Sequence, residues 1–374
     1  MTHTQSSDIY IGLMSGTSLD GVDVAIVDFT RYPPTNLYQN TLPYPADLRQ
    51  CLRELIHSQA SDLDGLFRVD AELAEIYARA IQHALHHMAL KPGDIAAVGC
   101  HGQTVRHHPQ GKIPYTVQLG DPGRLAALCG ISTVADFRRK DIALGGQGAP
   151  LAPAYHRFLF QSHRQDRAVV NIGGIANVTI LPANEQAPVS AFDTGPGNTL
   201  LDHWVREHRK QDFDDNGNWA RGGTIMPDLL DSILATEPYF GLVPPKSTGT
   251  EYFSPAWLES WFNQDMAPQD IQATLTELTA LTIARAINTM PANIHACFVC
   301  GGGAHNQFLL ERLQTNLGNI KIAPTTELNV DPDFVEAGAF AWLARCRLQG
   351  TPVNLTEFTG ARRAAVLGGL YLPD

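Results

Sequence analysis

The chain has 374 residues, and at roughly 100–200 residues per domain that length predicts two domains. Hydrophobic residues make up 44% of it, enough to bury a core, which excludes a disordered chain. A formal net charge of -11 argues against nucleic acid or an anionic membrane as partner, since both are bound through concentrated Lys and Arg, whereas a local nest of backbone N–H groups can still hold phosphate.

The N-terminal residues show no basic region followed by an apolar run, so no secretory signal is visible. No long apolar stretch of membrane-spanning length occurs either. The cysteines, Cys51, Cys100, Cys129, Cys297, Cys300 and Cys346, are scattered in apolar contexts, as expected of buried thiols in a reducing, cytoplasmic compartment.

In chain order, Ile9–Met14 and Val22–Phe29 are β-rich runs flanking Ser15-Gly-Thr-Ser-Leu-Asp-Gly21, which predicts a β-hairpin. Helices are expected over 46–57 and 69–89, and a buried strand over 95–100 leads directly into His101-Gly-Gln-Thr. A strand over 131–135 runs into Asp136-Phe-Arg138. The glycine-rich stretch 145–150 then marks the crossing between domains, ahead of a helix at 151–162. Residues 168–181 repeat the plan of strand, small-residue turn, strand. The strand 189–192 runs into Asp193-Thr-Gly-Pro-Gly-Asn198, with helices expected at 199–209, 226–236, 254–264 and 269–290. The strand 297–300 leads into Gly301-Gly-Gly-Ala-His-Asn306, then helices at 307–317 and 333–348. Two halves that share one hairpin plan predict two related α/β domains with a cleft between them.

Four stretches carry candidate chemistry. The turn after the first strand has the small residues and short hydroxyls that phosphate binding needs, with Asp20 a candidate Mg²⁺ ligand, directly or through water; an ordinary hairpin turn reads the same way. Asn171-Ile-Gly-Gly-Ile-Ala-Asn177 is a second such turn. Asp193, at a strand end before a helix, is either a general base or a helix cap, and the glycines and proline that intervene make a plain cap less natural. Gly301–Gly303 allow a flat adenine or ribose against the backbone near a helix N-terminus. Several chemistries find no support. No Gly-x4-Gly-Lys-Ser/Thr and no His-Glu-x-x-His occurs, and Cys297 and Cys300, three apart on a strand, point to opposite faces.

Together these stretches resemble the anhydro-N-acetylmuramic acid kinases over nearly the whole chain. The carriers are Gly12–Asp23, His101–Val105, Ala135–Arg138, Gly145–Leu151, Asn171–Asn177, Phe192–Asn198, Lys246–Phe253, Cys300–Asn306 and Glu336–Ala341. The resemblance implies two actin-like (ribonuclease H-like) α/β domains with an ATP cleft between them: residues 1–138 plus about 355–374 on the sugar and phosphate side, and 139–354 on the nucleotide side. It implies a reaction of anhydro-N-acetylmuramate, ATP and water to N-acetylmuramate 6-phosphate and ADP, in peptidoglycan recycling, with ATP and Mg²⁺ required and a homodimer expected. On it, Asp193 is the general base. ATP and phosphate meet Gly16, Thr17, Ser18, Leu19, Asp20, Gly21, Val22, Asp23, Asn171, Gly173, Gly174, Gly301, Gly302 and Gly303, with Mg²⁺ near Asp20. The sugar meets His101, Asp136, Arg138 and Glu336. The alternatives are an actin-fold kinase of another hexose or amino sugar, and a non-metabolic actin-like ATPase.

Overall fold

The computed structural model describes residues 7–16, 19–57, 62–262 and 265–374. The chain divides into two compact units, Met1–Tyr155 with Phe334–Asp374, and His156–Asp333. The divisions therefore fall at 155/156 and 333/334 and not at 138/139 and 354/355. The glycine stretch 145–150, read from sequence as the crossing, belongs to the first unit, where the Gly146 and Gly148 amides bond to Asp141 and the Gln147 amide donates to the Thr359 carbonyl.

In the first unit, β1 (Ile9–Ser15), β2 (Gly21–Asp28) and β3 (Thr35–Pro43) form an antiparallel meander. β4 (Ala97–His108) lies parallel to β1 on its other side, β5 (Tyr115–Leu119) folds back on β4, and β6 (Thr133–Ala135) runs parallel to β4. A short strand, Gly369–Tyr371, closes that edge antiparallel to β6. Along β2 the apolar Val22, Val24 and Ile26 are buried with Ile11 and Leu13 of β1, and helix Leu63–His87 lays Leu73, Tyr77, Ile81 and Leu85 over the same core, following the 3.6-residue period of its apolar face. On the opposite face rides helix Val335–Gln349, and two glycines let it come that close. A Cβ on Gly12 of β1 would overlap the carbonyl oxygen of Ala337, and one on Gly99 of β4 would overlap that of Phe340. Glu336 is thereby placed in this helix's first turn, against β1.

In the second unit, β7 (Asp166–Ile172), β8 (Ile175–Leu181) and β9 (Ser190–Pro196) form another antiparallel meander, with β10 (Ile294–Cys300) parallel to β7 and β11 (Lys321–Pro324) parallel to β10. The order β9-β8-β7-β10-β11 matches β3-β2-β1-β4-β6 strand for strand and direction for direction. The hairpin echo in the sequence is thus the front of one ribonuclease H-like plan used twice, the actin-like arrangement of sheets. The helix 268–288 and the helix 307–317 pack on the second sheet through Ile283, Ile287, Leu309 and Leu313.

One smaller reading changes. Cys51 is exposed, whereas Cys100, Cys129, Cys297, Cys300 and Cys346 are buried free thiols. His86 and His87 are exposed, but His107 is half-buried against the Thr116 hydroxyl (3.1 Å), and its pKa falls to about 4, first from burial and then from the charge of Arg138. Among the described residues, no helix is long and apolar enough to cross a membrane.

Candidate active site

Each unit brings functional side chains to the loops that leave its central strands, the edge where α/β sheets of this kind hold ligands. In the first unit β1 ends at Ser15, whose hydroxyl accepts from Tyr44 (2.8 Å) and lies 3.0 Å from Tyr77 in a buried hydroxyl cluster. The Gly16 carbonyl accepts from the Gln103 side chain at 3.1 Å, so β4 braces the start of the turn. Thr17 and Ser18, expected to meet phosphate, lie outside the described residues. Leu19 sits at φ 61° with its side chain buried in the core, as is that of Val22, so each has only backbone to offer a phosphate. Asp20 is exposed at the turn. Gly21 opens β2, and Asp23, two residues on, accepts from Thr41 at 2.6 Å.

The four residues expected to meet the sugar are all in this unit. Arg138 donates through Nε to His101 Nε2 (2.9 Å) and through one amino group to the Gly148 carbonyl (2.8 Å). A guanidinium only donates, so Nε2 is the acceptor and the neutral imidazole carries its proton on Nδ1. Burial, then the Arg138 charge, hold the His101 pKa well below its ordinary 6.5, and its ring lies tilted against that of Phe340 with centroids 4.7 Å apart. Burial lowers Arg138 to about 10, which leaves it cationic at neutral pH, with the charges of Glu336 and Asp141 opposing the fall. The Glu336 carboxyl is raised by burial, lowered by Arg138 and raised again by Asp23. His101, Arg138, Glu336 and Asp23 thus form one electrostatic group. Asp136, where β6 turns into the helix Phe137–Ala143, holds the left-handed φ 61°, ψ 49° that a non-glycine residue keeps only when its surroundings enforce it. Its carboxylate pairs with Arg139 at 2.8 Å rather than with the other three.

In the second unit the sheet register aligns the polar residues of two motifs. Asn171 of β7 stands opposite Asn177 of β8, and Asn177 stands opposite Asp193 of β9, so the three lie side by side across the meander. Asp193 is not a helix cap: it lies inside β9, and Gly197 holds the cap position of helix Asn198–Arg209. The carbonyls of Gly173 and Gly174 accept from the amides of Gly197, Asn198 and Thr199 at 2.7–3.1 Å, so this turn seats the helix N-terminus. The Gly301 amide donates to the Pro332 carbonyl (2.9 Å), and Gly302–His305 makes a short 3₁₀ turn beyond β10 with Gly303 buried.

Asp193 is held by a segment that sequence reasoning assigned no role. Its amide donates to the Lys246 carbonyl (3.1 Å), and its Oδ2 accepts from the Thr248 amide (3.0 Å). Burial raises its pKa to about 6, against the lowering pull of the Thr248 N–H and the Lys246 charge. A carboxylate poised there is ionised at neutral pH yet basic enough to take a proton. Its Oδ1 is left as the accepting oxygen. The signal in the sequence is Lys246-Ser-Thr, part of the Lys246–Phe253 motif, with nothing local to tie it to Asp193.

Beside the Gly301–Gly303 turn a cavity of about 530 Å³ is lined by Asn198, Leu201, Phe213, Asn216, Gly302 and His305, a size and lining suited to a nucleoside. Three further lining groups, Asp202, Asp214 and Asp215, disfavour phosphate there. Phe213, 61% exposed at its rim, was not anticipated.

A family model described as anhydro-N-acetylmuramic acid kinase matches residues 8–373. A protein of that name from Saccharophagus degradans is 46% identical over 371 residues, covering 98% of this chain and 99% of that protein. One from Coxiella burnetii is 44% identical over 363 residues, covering 97% of each. Among solved structures the chain is similar to the (R)-2-hydroxyglutaryl-CoA dehydratase component A of Acidaminococcus fermentans, with TM-score 0.47 and 14% identity, covering 90% of this chain and 96% of that one. With nearly its whole length matched, this chain belongs to the anhydro-N-acetylmuramic acid kinase family.

Proposed function

We propose that the chain opens the anhydro ring of anhydro-N-acetylmuramic acid with water and phosphorylates the oxygen released at C6, giving N-acetylmuramate 6-phosphate and ADP. The observation that carries this reading is the seating of Asp193: a carboxylate fixed by Thr248, raised to about 6, with one oxygen left to accept a proton.

Opening a glycosidic bond ordinarily takes an acid for the leaving oxygen and a base for the water. Here the γ-phosphoryl group is the electrophile on the leaving oxygen, so one carboxylate suffices. Asp193 Oδ1 takes a proton from water, and the water oxygen bonds to the anomeric carbon as that carbon's bond to O6 breaks. O6 bonds to the γ-phosphorus as the bond to ADP breaks. Water enters opposite the departing oxygen, so the anomeric carbon inverts.

His101, Arg138 and Glu336 are assigned to the sugar. The planar guanidinium of Arg138 suits its lactyl carboxylate, and the neutral His101 holds the guanidinium in place. Asp136 is assigned to the sugar as well, although it is paired with Arg139 in this structure. The turn from Gly16 to Asp23, the Asn171–Gly174 turn and Gly301–Gly303 are assigned to ATP, with the adenosine in the cavity beside Gly302.

The described residues contain no group of three or more His, Cys, Asp and Glu able to enclose a metal. That fits Mg²⁺ bound mainly by nucleotide phosphates and water, for which the exposed carboxylate of Asp20 is the protein's contribution. When bound, the ion would offset the charge on the phosphates. A homodimer in the cytoplasm completes the reading, on family resemblance.

The test is product analysis by mass spectrometry after incubation with ATP and anhydro-N-acetylmuramate. The expected product has gained both a water and a phosphoryl group. A product that has gained only the phosphoryl group would overturn the reading in favour of an ordinary hydroxyl kinase.

A further inference from the structure

Lys246 has a place beside Asp193 that backbone support alone does not explain. Its carbonyl accepts from the Asp193 amide, and its Nζ donates to the Tyr239 carbonyl at 3.2 Å. The ammonium lies 4.5 Å from the centre of the Tyr239 ring. Tyr239 is itself fixed at both ends. Its hydroxyl donates to the Asp193 carbonyl at 2.8 Å, and its amide donates to Glu237 Oε1 at 3.0 Å. Glu237 is buried and also accepts from the Tyr252 hydroxyl (2.5 Å) and the Trp257 indole (2.7 Å), so its two oxygens are taken by neutral donors.

Lys246 therefore sits in a cage of one ring and one carbonyl, and among the described residues it forms no ion pair. A half-buried ammonium without a counter-ion is costly. The carboxylate it neighbours, through the backbone bond between the two residues and through Tyr239, is that of Asp193.

Among the described residues, the other groups packed against Asp193 do not supply charge. From β8 its cross-strand partner is Asn177. From helix Pro268–Asn288, Thr279 donates to the carbonyls of Pro196 and Gly197, and Thr282 approaches Gly195. The Tyr239 phenol is raised above its ordinary range by burial and then by Asp193, so it stays neutral. Glu237 stands behind Tyr239.

We infer that Lys246 is a positioning residue: its ammonium, seated on Tyr239, keeps the Asp193 carboxylate ionised at neutral pH and so sets the pH range in which the base works. The inference rests on the reading of Asp193 as general base. Its electrostatic sign is consistent with the mutual influence of the two groups, Lys246 lowering Asp193 and Asp193 raising Lys246. It also accounts for Glu237, Tyr252 and Trp257, which hold Tyr239 under the ammonium.

The test is the pH profile of kcat/KM for the wild type and for Lys246→Met, Lys246→Arg and Asp193→Asn. The wild type should lose activity on acidification with a midpoint near 6. Lys246→Met should move that midpoint upward by up to about one pH unit, since removing a neighbouring opposite charge raises a carboxylate. Lys246→Arg, which keeps the charge, should bring it back. If Lys246→Met fails to fold, Lys246→Gln makes the same comparison. A midpoint that stays put while the rate falls at every pH would overturn the inference, because a residue that only packs or only touches substrate behaves that way. Asp193→Asn separates the two layers of the argument. If it abolishes the acidic limb and Lys246→Met does not move it, the Lys246 inference alone fails. If Asp193→Asn keeps a wild-type limb, the assignment of the base fails with it.

Discussion

Replacing Asp193 with asparagine is expected to lower kcat by about a thousandfold, in the range that loss of a general base costs, while ATP binding measured by calorimetry stays within a few-fold of wild type. The substitution is close to isosteric, and the Thr248 amide still finds an oxygen, so the loss reports proton transfer rather than collapse of the segment. The same variant should be more stable. The folded carboxyl is raised to about 6, above the roughly 3.9 of an unfolded chain, so the native state prefers the protonated form. That penalty is full above about pH 6 and absent below about pH 4. At pH 8 it is about 3 kcal/mol, and removing it should raise Tm by several degrees, with the gain vanishing at pH 4. A variant that lost activity and stability together at pH 8 would show that Asp193 is a structural residue.

The largest expected effect on stability is at Gly12. A valine there puts a branched side chain where the Ala337 carbonyl already is, with the Ala341 amide close behind. Both are backbone atoms of one helix and cannot turn aside as a side chain would. Overpacking against mobile neighbours costs roughly 1–3 kcal/mol, and against a fixed backbone the cost should exceed about 3 kcal/mol. Since Glu336 is one residue before Ala337, displacing the helix should also raise KM for the sugar. Thermal unfolding and steady-state kinetics of Gly12→Val check both. Gly93→Ala is the control: a Cβ there meets nothing within 4 Å, and neither quantity should move. An unchanged Tm for Gly12→Val would mean the helix does not ride on β1 as closely as described.

Most of the elements were legible because their signals are local. The two hairpins announce themselves by apolar runs around small-residue turns, and the helix at 307–317 follows an asparagine that caps it through the Leu309 amide at 3.0 Å. β3 was not legible. In this outer strand Asn36–Asn40 are all half-buried, on both faces, so alternation is lost there and only pairing with β2 defines it. β4 continues past Cys100 through the polar motif to His108 because β5 pairs with it, which no local pattern announces. The second unit boundary was missed for a related reason. Whether the helix at 335–349 joins the first or the second unit is decided by Gly12 and Gly99, far away in sequence.

The candidate site divides in the same way. Asp193, Arg138 and His101 stand in short glycine- or strand-bounded motifs that name them. Lys246, Thr248 and Tyr239 are chemically ordinary in sequence and become relevant only when the chain returns to lie along β9.

The central claim is that a water activated by Asp193 becomes the anomeric hydroxyl as the phosphoryl group arrives at O6. The most direct measurement is to run the reaction in heavy-oxygen water and locate the label by NMR and fragmentation of the product. The account predicts label on the anomeric carbon and none in the transferred phosphoryl group. Label in the phosphate, or a product free of label, would contradict it.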